Sequence, residues 1–68
     1  MSVAAQVKGT LYSLKGIDAT LTKLALQSSD EEAEKVYHQA SLKTRTIIQE
    51  MEQQVMFLER EEPQYKGN

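Results

Sequence analysis

Residues 27–32 read Gln27-Ser28-Ser29-Asp30-Glu31-Glu32. This polar run separates two long segments that are both patterned as helix. Ser29 is placed to cap a following helix by accepting a hydrogen bond from a free backbone N–H. Glu32, three residues on, completes a capping box. Asp30, Glu31 and Glu32 also stand where the positive end of a helix dipole favours carboxylates. The spacing predicts a helix over 2–26, a turn over 27–29 and a second helix over 30–61. Pro63 closes it, because the residue before a proline is pushed out of the helical region.

Working back from the turn, apolar residues fall at Val3, Val7, Leu11, Leu14, Ile17, Leu21 and Leu24. Steps of three and four mark one face of a helix, where a strand would alternate by two. Val7-Lys8-Gly9 and Leu14-Lys15-Gly16 repeat at seven residues, followed by Leu21-Thr22-Lys23. Working forward, Ala33, Val36, Tyr37, Ala40, Thr44, Ile47, Ile48, Met51, Val55 and Leu58 make a second wide face. A connector this short makes neighbouring helices antiparallel.

With the turn centred near Ser28, residue i is expected opposite about residue 57 − i. Val7 then meets Met51, Leu11 and Leu14 meet Ile47 and Thr44, and Ile17 meets Ala40. Leu21 falls beside Val36 and Tyr37, and Leu24 beside Ala33. Lys8 is expected beside Glu50 and Glu52, and Lys23 near the acidic start of the second helix. The fold class is all-α, an antiparallel two-helix hairpin.

The chain has 68 residues, no cysteine and one histidine. A single core of this size supplies only about 3–5 kcal/mol, and small folds usually add disulfides, a metal or self-association. Without cysteine there are no disulfides and no thiolate metal sites. Association is the staple left, and two hairpins packed face to face make a four-helix bundle. The expected self-association residues are Val7, Leu11, Leu14, Ile17, Leu21, Ile47, Met51, Val55, Phe57 and Leu58. Met56, Phe57 and Leu58 are expected to project past the start of the first helix without a partner in the hairpin. Ala5, Gly9, Ser13, Gly16 and Thr20 form a line of small residues, with Gly9 and Gly16 a candidate close contact with another chain.

No group of residues points to catalysis. Glu34 and His38 share a helical face, but a metal ion needs three or four ligands. Glu50, Glu52, Glu59, Glu61 and Glu62 fall mainly on the polar side and lack the Glu-x-x-His pattern of carboxylate-bridged di-metal bundles. The hydroxyls and lysines form no nucleophile–base pair. No cofactor, no metal and no enzymatic activity are expected. A net charge of −2 offers no basic footprint for nucleic acid. Charged residues punctuate every apolar run, so no direct membrane insertion is expected, and with no signal-peptide pattern the expected location is cytoplasmic. A small-molecule- or metal-binding bundle is the alternative class.

Leu14-Lys15-Gly16-Ile17-Asp18-Ala19-Thr20-Leu21, then Leu24-Ala25-Leu26-Gln27, and the ending Leu58-Glu59-Arg60-Glu61-Glu62-Pro63-Gln64-Tyr65-Lys66 resemble the domain of unknown function 1657 family. The resemblance spans nearly the whole chain, and its ending is the most specific part. The chain departs from it at Ile17-Asp18, where many relatives have glutamine or alanine. The resemblance implies a small protein of endospore-forming bacteria, often encoded beside SpoVA-type spore membrane proteins. A forespore or spore-interior setting, and a spore membrane protein as partner, follow from it as expectations. It supplies no catalytic residues. Pro63, Gln64, Tyr65 and Lys66 are either a docking tail or a cover for the exposed Phe57 and Leu58.

Overall fold

In the computed structural model, residues 2–61 are described, and they form α1 (Val3–Gln27) and α2 (Glu31–Glu61). Capping sets where each helix begins. The Ser2 hydroxyl accepts from the Ala5 N–H at 3.1 Å, and the Ser2 carbonyl accepts from Gln6 N–H at 3.1 Å. At the turn, Ser28 is extended and its N–H closes α1 on the Leu24 carbonyl at 3.0 Å. The cap of α2 is Asp30: its carboxylate accepts from the Ala33 N–H at 3.2 Å, and its carbonyl accepts from Glu34 N–H at 2.9 Å. This corrects the assignment to Ser29. The Ser28 hydroxyl pins the turn by accepting from Asp30 N–H at 3.3 Å, which moves the helix start one residue along. Ala33 then stands three residues after the cap, so no capping box forms.

The helices run antiparallel and meet along a seam with alternating steps of three and four. On α1 the seam residues include Ala4, Val7, Leu11, Leu14, Asp18, Leu21 and Ala25. On α2 they include Tyr37, Ser41, Thr44, Ile48, Met51, Val55 and Leu58; each is buried or half-buried. This 3.5-residue repeat is that of a coiled coil. Leu11, Ile48 and Val55 form the centre, with Val7, Leu14 and Met51 packed on it.

Side chains meet in a register of about 63 − i, as the contacts Asp18–Ser41, Thr22–Ser41 and Lys15–Glu52 show. It replaces the expected 57 − i, and two causes account for the slip. The turn is centred on Ser29 rather than Ser28. Side chains on a helix also lean toward its N-terminus, so in an antiparallel pair they lean toward each other. Each residue therefore meets one set further along the partner helix. Leu58 accordingly is half-buried in the seam and is not an overhang, while Met56 and Phe57 remain exposed.

The seam also takes different residues from those expected. Asp18 and Ala25 occupy it where Ile17 and Leu24 were expected, and Ile48 occupies it instead of Ile47. Ile17, Leu24 and Ile47 are exposed beside it. The hairpin measures 48 × 17 × 11 Å, one helix thick, so among the described residues only its own flanks border the seam.

Asp30→Ala should destabilise the fold by about 1 kcal/mol, a fall in Tm of roughly 4–8 °C at this size. Ser29→Ala should stay within about 0.5 kcal/mol. Thermal denaturation of the two variants checks this, and equal losses would return the cap to Ser29.

Candidate functional site: an uncovered apolar face

The two sides of the seam differ in chemistry. On one side the flanking residues carry opposite charges. Lys8 pairs with Glu59 at 3.4 Å, Lys15 with Glu52 at 3.0 Å and Arg45 with Asp18 at 3.1 Å. Lys8 was expected beside Glu50 and Glu52; the longer reach to Glu59 follows from the same mutual lean of side chains, largest for long ones. Lys23 belongs to no ion pair among the described residues. Solvent-accessible pairs of this kind, here half-buried to exposed, contribute little stability each. Lys8, Lys15 and Glu52 border Leu11 and Val55 on this side, around a recess that also takes in Tyr12 and Met56.

Asp18, Thr22, Ser41 and Arg45 close a ring of hydrogen bonds. The Ser41 hydroxyl donates to Asp18 Oδ1. With its one hydrogen used there, Ser41 accepts from Thr22 Oγ1 at 3.3 Å. Arg45 Nη2 donates to Thr22 at 3.4 Å, and Arg45 Nε donates to Asp18 Oδ2 at 3.1 Å. Ser41 is 3% exposed, and this ring satisfies it. The Ser41 hydroxyl beside Asp18 holds its carboxyl below the usual value; partial burial opposes this, and Arg45 adds to the lowering. Sequence reasoning missed the ring. The signal for it was the heptad Ala4, Leu11, Asp18, Ala25, which an apolar count skips at Asp18.

The other side of the seam has no ion pairs along it among the described residues. Ile17 (51% exposed), Leu24 and Val3 flank it on α1; Ile47 (46% exposed) flanks it on α2. The next position outward on α2 adds Val36 and Phe57, both more than half exposed. On α1 the outer edge is Gln6, Ser13, Thr20 and Gln27, with no charge. Ser13 and Thr20 donate back to the carbonyls of Gly9 and Gly16, at 3.2 and 3.1 Å. Their hydrogens are therefore already used, and another surface can approach without stripping a donor of water.

The expected association residues divide among these settings. Leu11 and Val55 are buried in the seam and face no other chain. Val7, Leu14, Leu21, Met51 and Leu58 are half-buried along its edge, while Ile17, Ile47 and Phe57 stand out on the open face. Gly9 and Gly16 lie on the outer side of α1, and a Cβ at either would meet nothing within 4 Å. The hairpin itself thus has no need of them. The recess on the ionic side, about 390 Å³, lies between Tyr12 and Met56. Its lysines, Lys8 and Lys15, are the ones already paired with glutamates. Glu34 and His38 are exposed, and among the described residues no three His, Asp or Glu side chains are grouped to hold a metal ion. The tail residues Pro63, Gln64, Tyr65 and Lys66 lie outside the described residues.

The family described as Protein of unknown function (DUF1657) matches residues 7–55, most of the hairpin. The chain belongs to that family. The match rests on the DUF1657 hairpin and stops short of the Glu-Pro-Gln-Tyr-Lys ending that carried much of the resemblance. No curated protein and no solved structure matches the chain. Among its described residues, this DUF1657 protein has no helix long and apolar enough to cross a membrane.

The lowered Asp18 pKa fixes the sign of a pH effect. Its contribution is present above the unfolded aspartate value of ~3.9 and is lost as pH falls through the lower folded value. Asp18→Asn should therefore lose less stability than the parent between pH 7 and pH 3. Urea denaturation at both pH values measures the difference, and parallel losses would remove Asp18 from the pH response.

Proposed function

We propose that this protein is a non-enzymatic structural or interaction module that works as a homodimer, two hairpins closing their apolar faces into a four-helix bundle. One observation carries the reading: the seam runs along one edge of each helix's apolar stripe, and Val3, Ile17, Leu24, Val36, Ile47 and Phe57 are exposed on one side of it, while Tyr12, Leu26, Leu42 and Met56 are exposed on the ionic side. Ile17, Leu24 and Ile47 lie within a turn of half-buried seam residues and are therefore continuous with the core. The hairpin as a whole is 48 Å long and 17 Å across, so the side that carries this stripe, polar edges included, is at most that size. That is an upper bound of roughly 800 Å², similar to the ~800 Å² each partner contributes to a standard stable interface. Isolated exposed leucines need no explanation, whereas exposed apolar residues lined up beside a seam mark a candidate interaction surface.

The family resemblance supports a wider proposal: an accessory module in the forespore or spore interior, with a spore membrane protein as a further partner. That part rests on the resemblance alone. The dimer rests on the geometry, and it is the part that can be tested first.

Ile17→Glu and Ile47→Glu separate a dimer from a lone hairpin. Both side chains are half exposed, so a lone hairpin should tolerate either change within about 0.5 kcal/mol. In a dimer each substitution buries two unpaired carboxylates, and dimerisation should weaken by roughly a hundredfold or more. Sedimentation equilibrium measures the change. A parent and variants of the same mass would refute the proposed face.

A further inference from the structure

The open face is self-complementary in a way that selects one of two dimer arrangements, an inference that rests on the reading just proposed. Two hairpins can meet face to face about a two-fold axis parallel to the helices, which sets α1 against the second copy's α2. Alternatively the axis lies across the helices, in the plane between the hairpins, and sets α1 against α1 and α2 against α2. All neighbouring helices are antiparallel in both, so dipoles do not choose between them.

The outer edges of the face do choose. On α2 the edge reads Val36, Lys43, Glu50, Phe57, at intervals of seven. A two-fold axis crossing α2 between residues 46 and 47 places Lys43 opposite the partner's Glu50 and Val36 opposite the partner's Phe57. On α1 the edge reads Gln6, Ser13, Thr20, Gln27. An axis between residues 16 and 17 sets Gln6 opposite the partner's Gln27 and Ser13 opposite the partner's Thr20. In the hairpin register these two midpoints stand within about one residue of each other, a rise of about 1.5 Å. One axis therefore serves both helices, at the level of Ile17 and Ile47 near the middle of the molecule. With the axis parallel to the helices, Lys43 would lie over the partner's Thr20 and Glu50 over the partner's Ser13, with no charge to meet.

Lys43 and Glu50 are also available. Neither belongs to an ion pair among the described residues, and both are exposed. Their neighbours three and four residues away along α2 are Gln39, Ala40, Thr46, Ile47, Gln53 and Gln54, all uncharged. The other flank of the seam already shows this kind of pairing within the hairpin, in Lys8–Glu59 and Lys15–Glu52. We propose that the second copy docks about an axis across the helices, with Lys43 of each chain paired to the partner's Glu50.

Charge reversal tests the arrangement. Lys43→Glu sets a carboxylate against the partner's Glu50 twice per dimer, and Glu50→Lys sets two ammonium groups together in the same places. Each should weaken dimerisation roughly tenfold while helicity at high concentration is kept. The doubly reversed chain should regain the parent's affinity. Mixing the two single variants should give heterodimer well above the statistical half, because every contact in it joins opposite charges. Sedimentation equilibrium and native mass spectrometry of the full chain read these outcomes. A dimeric parent whose single variants dimerise equally well, and mix statistically, overturns the axis while leaving the dimer in place. A monomeric parent overturns both.

Discussion

The facing charges along one flank of the seam determine how each helix is turned about its own axis. Lys8 and Lys15 sit one position from the seam on α1, and Glu52 and Glu59 one position from it on α2. They meet only if Leu11, Ile48 and Val55 lie between the helices. Turning either helix by one position to bring Ile17 or Ile47 inward would carry these charges away from each other. The energy of each exposed pair is small, so their role is selection among alternatives more than stabilisation. The Asp18 ring works in the same sense at mid-height. A polar group held inside a seam costs stability and fixes register, the best attested use of such groups in coiled coils.

Closing one side in this way leaves the other open. Each helix has an apolar stripe wider than a two-stranded seam needs, and the ionic flank makes the hairpin use its edge. The half-buried Val7, Leu14, Leu21 and Met51 are therefore shared, packed within the hairpin on one side and available to a second copy on the other. With only three large apolar residues buried among the described residues, a structure one helix thick has little core of its own. A four-helix bundle built on the open face gives those shared residues cover on both sides. In such a bundle the ionic flanks would face water.

The sequence carried the hairpin plainly: two helical periods, a short polar connector and opposed apolar stripes leave few alternatives. It carried the rotation of the helices poorly. A stripe centred by counting apolar residues falls on Ile17, Leu24 and Ile47, because the count weighs the outward face together with the seam. The charged flank held the missing information, since Lys8 and Lys15 recur at seven, as do Glu52 and Glu59. Asp18 was hidden for a related reason: a carboxylate in a heptad position reads as surface until its partners Ser41 and Arg45 are placed across from it. The turn was misread by one residue because Ser29 and Asp30 are both good caps. Only the Ser28 hydrogen bond, which depends on three-dimensional geometry, decides between them.

Solution mass by light scattering across a dilution series, with helicity followed on the same samples, bears most directly on the claim that the open face completes the core. The account predicts a species of twice the chain mass that dissociates on dilution and loses helix as it does. A monomer that keeps its full helicity at every concentration would contradict it.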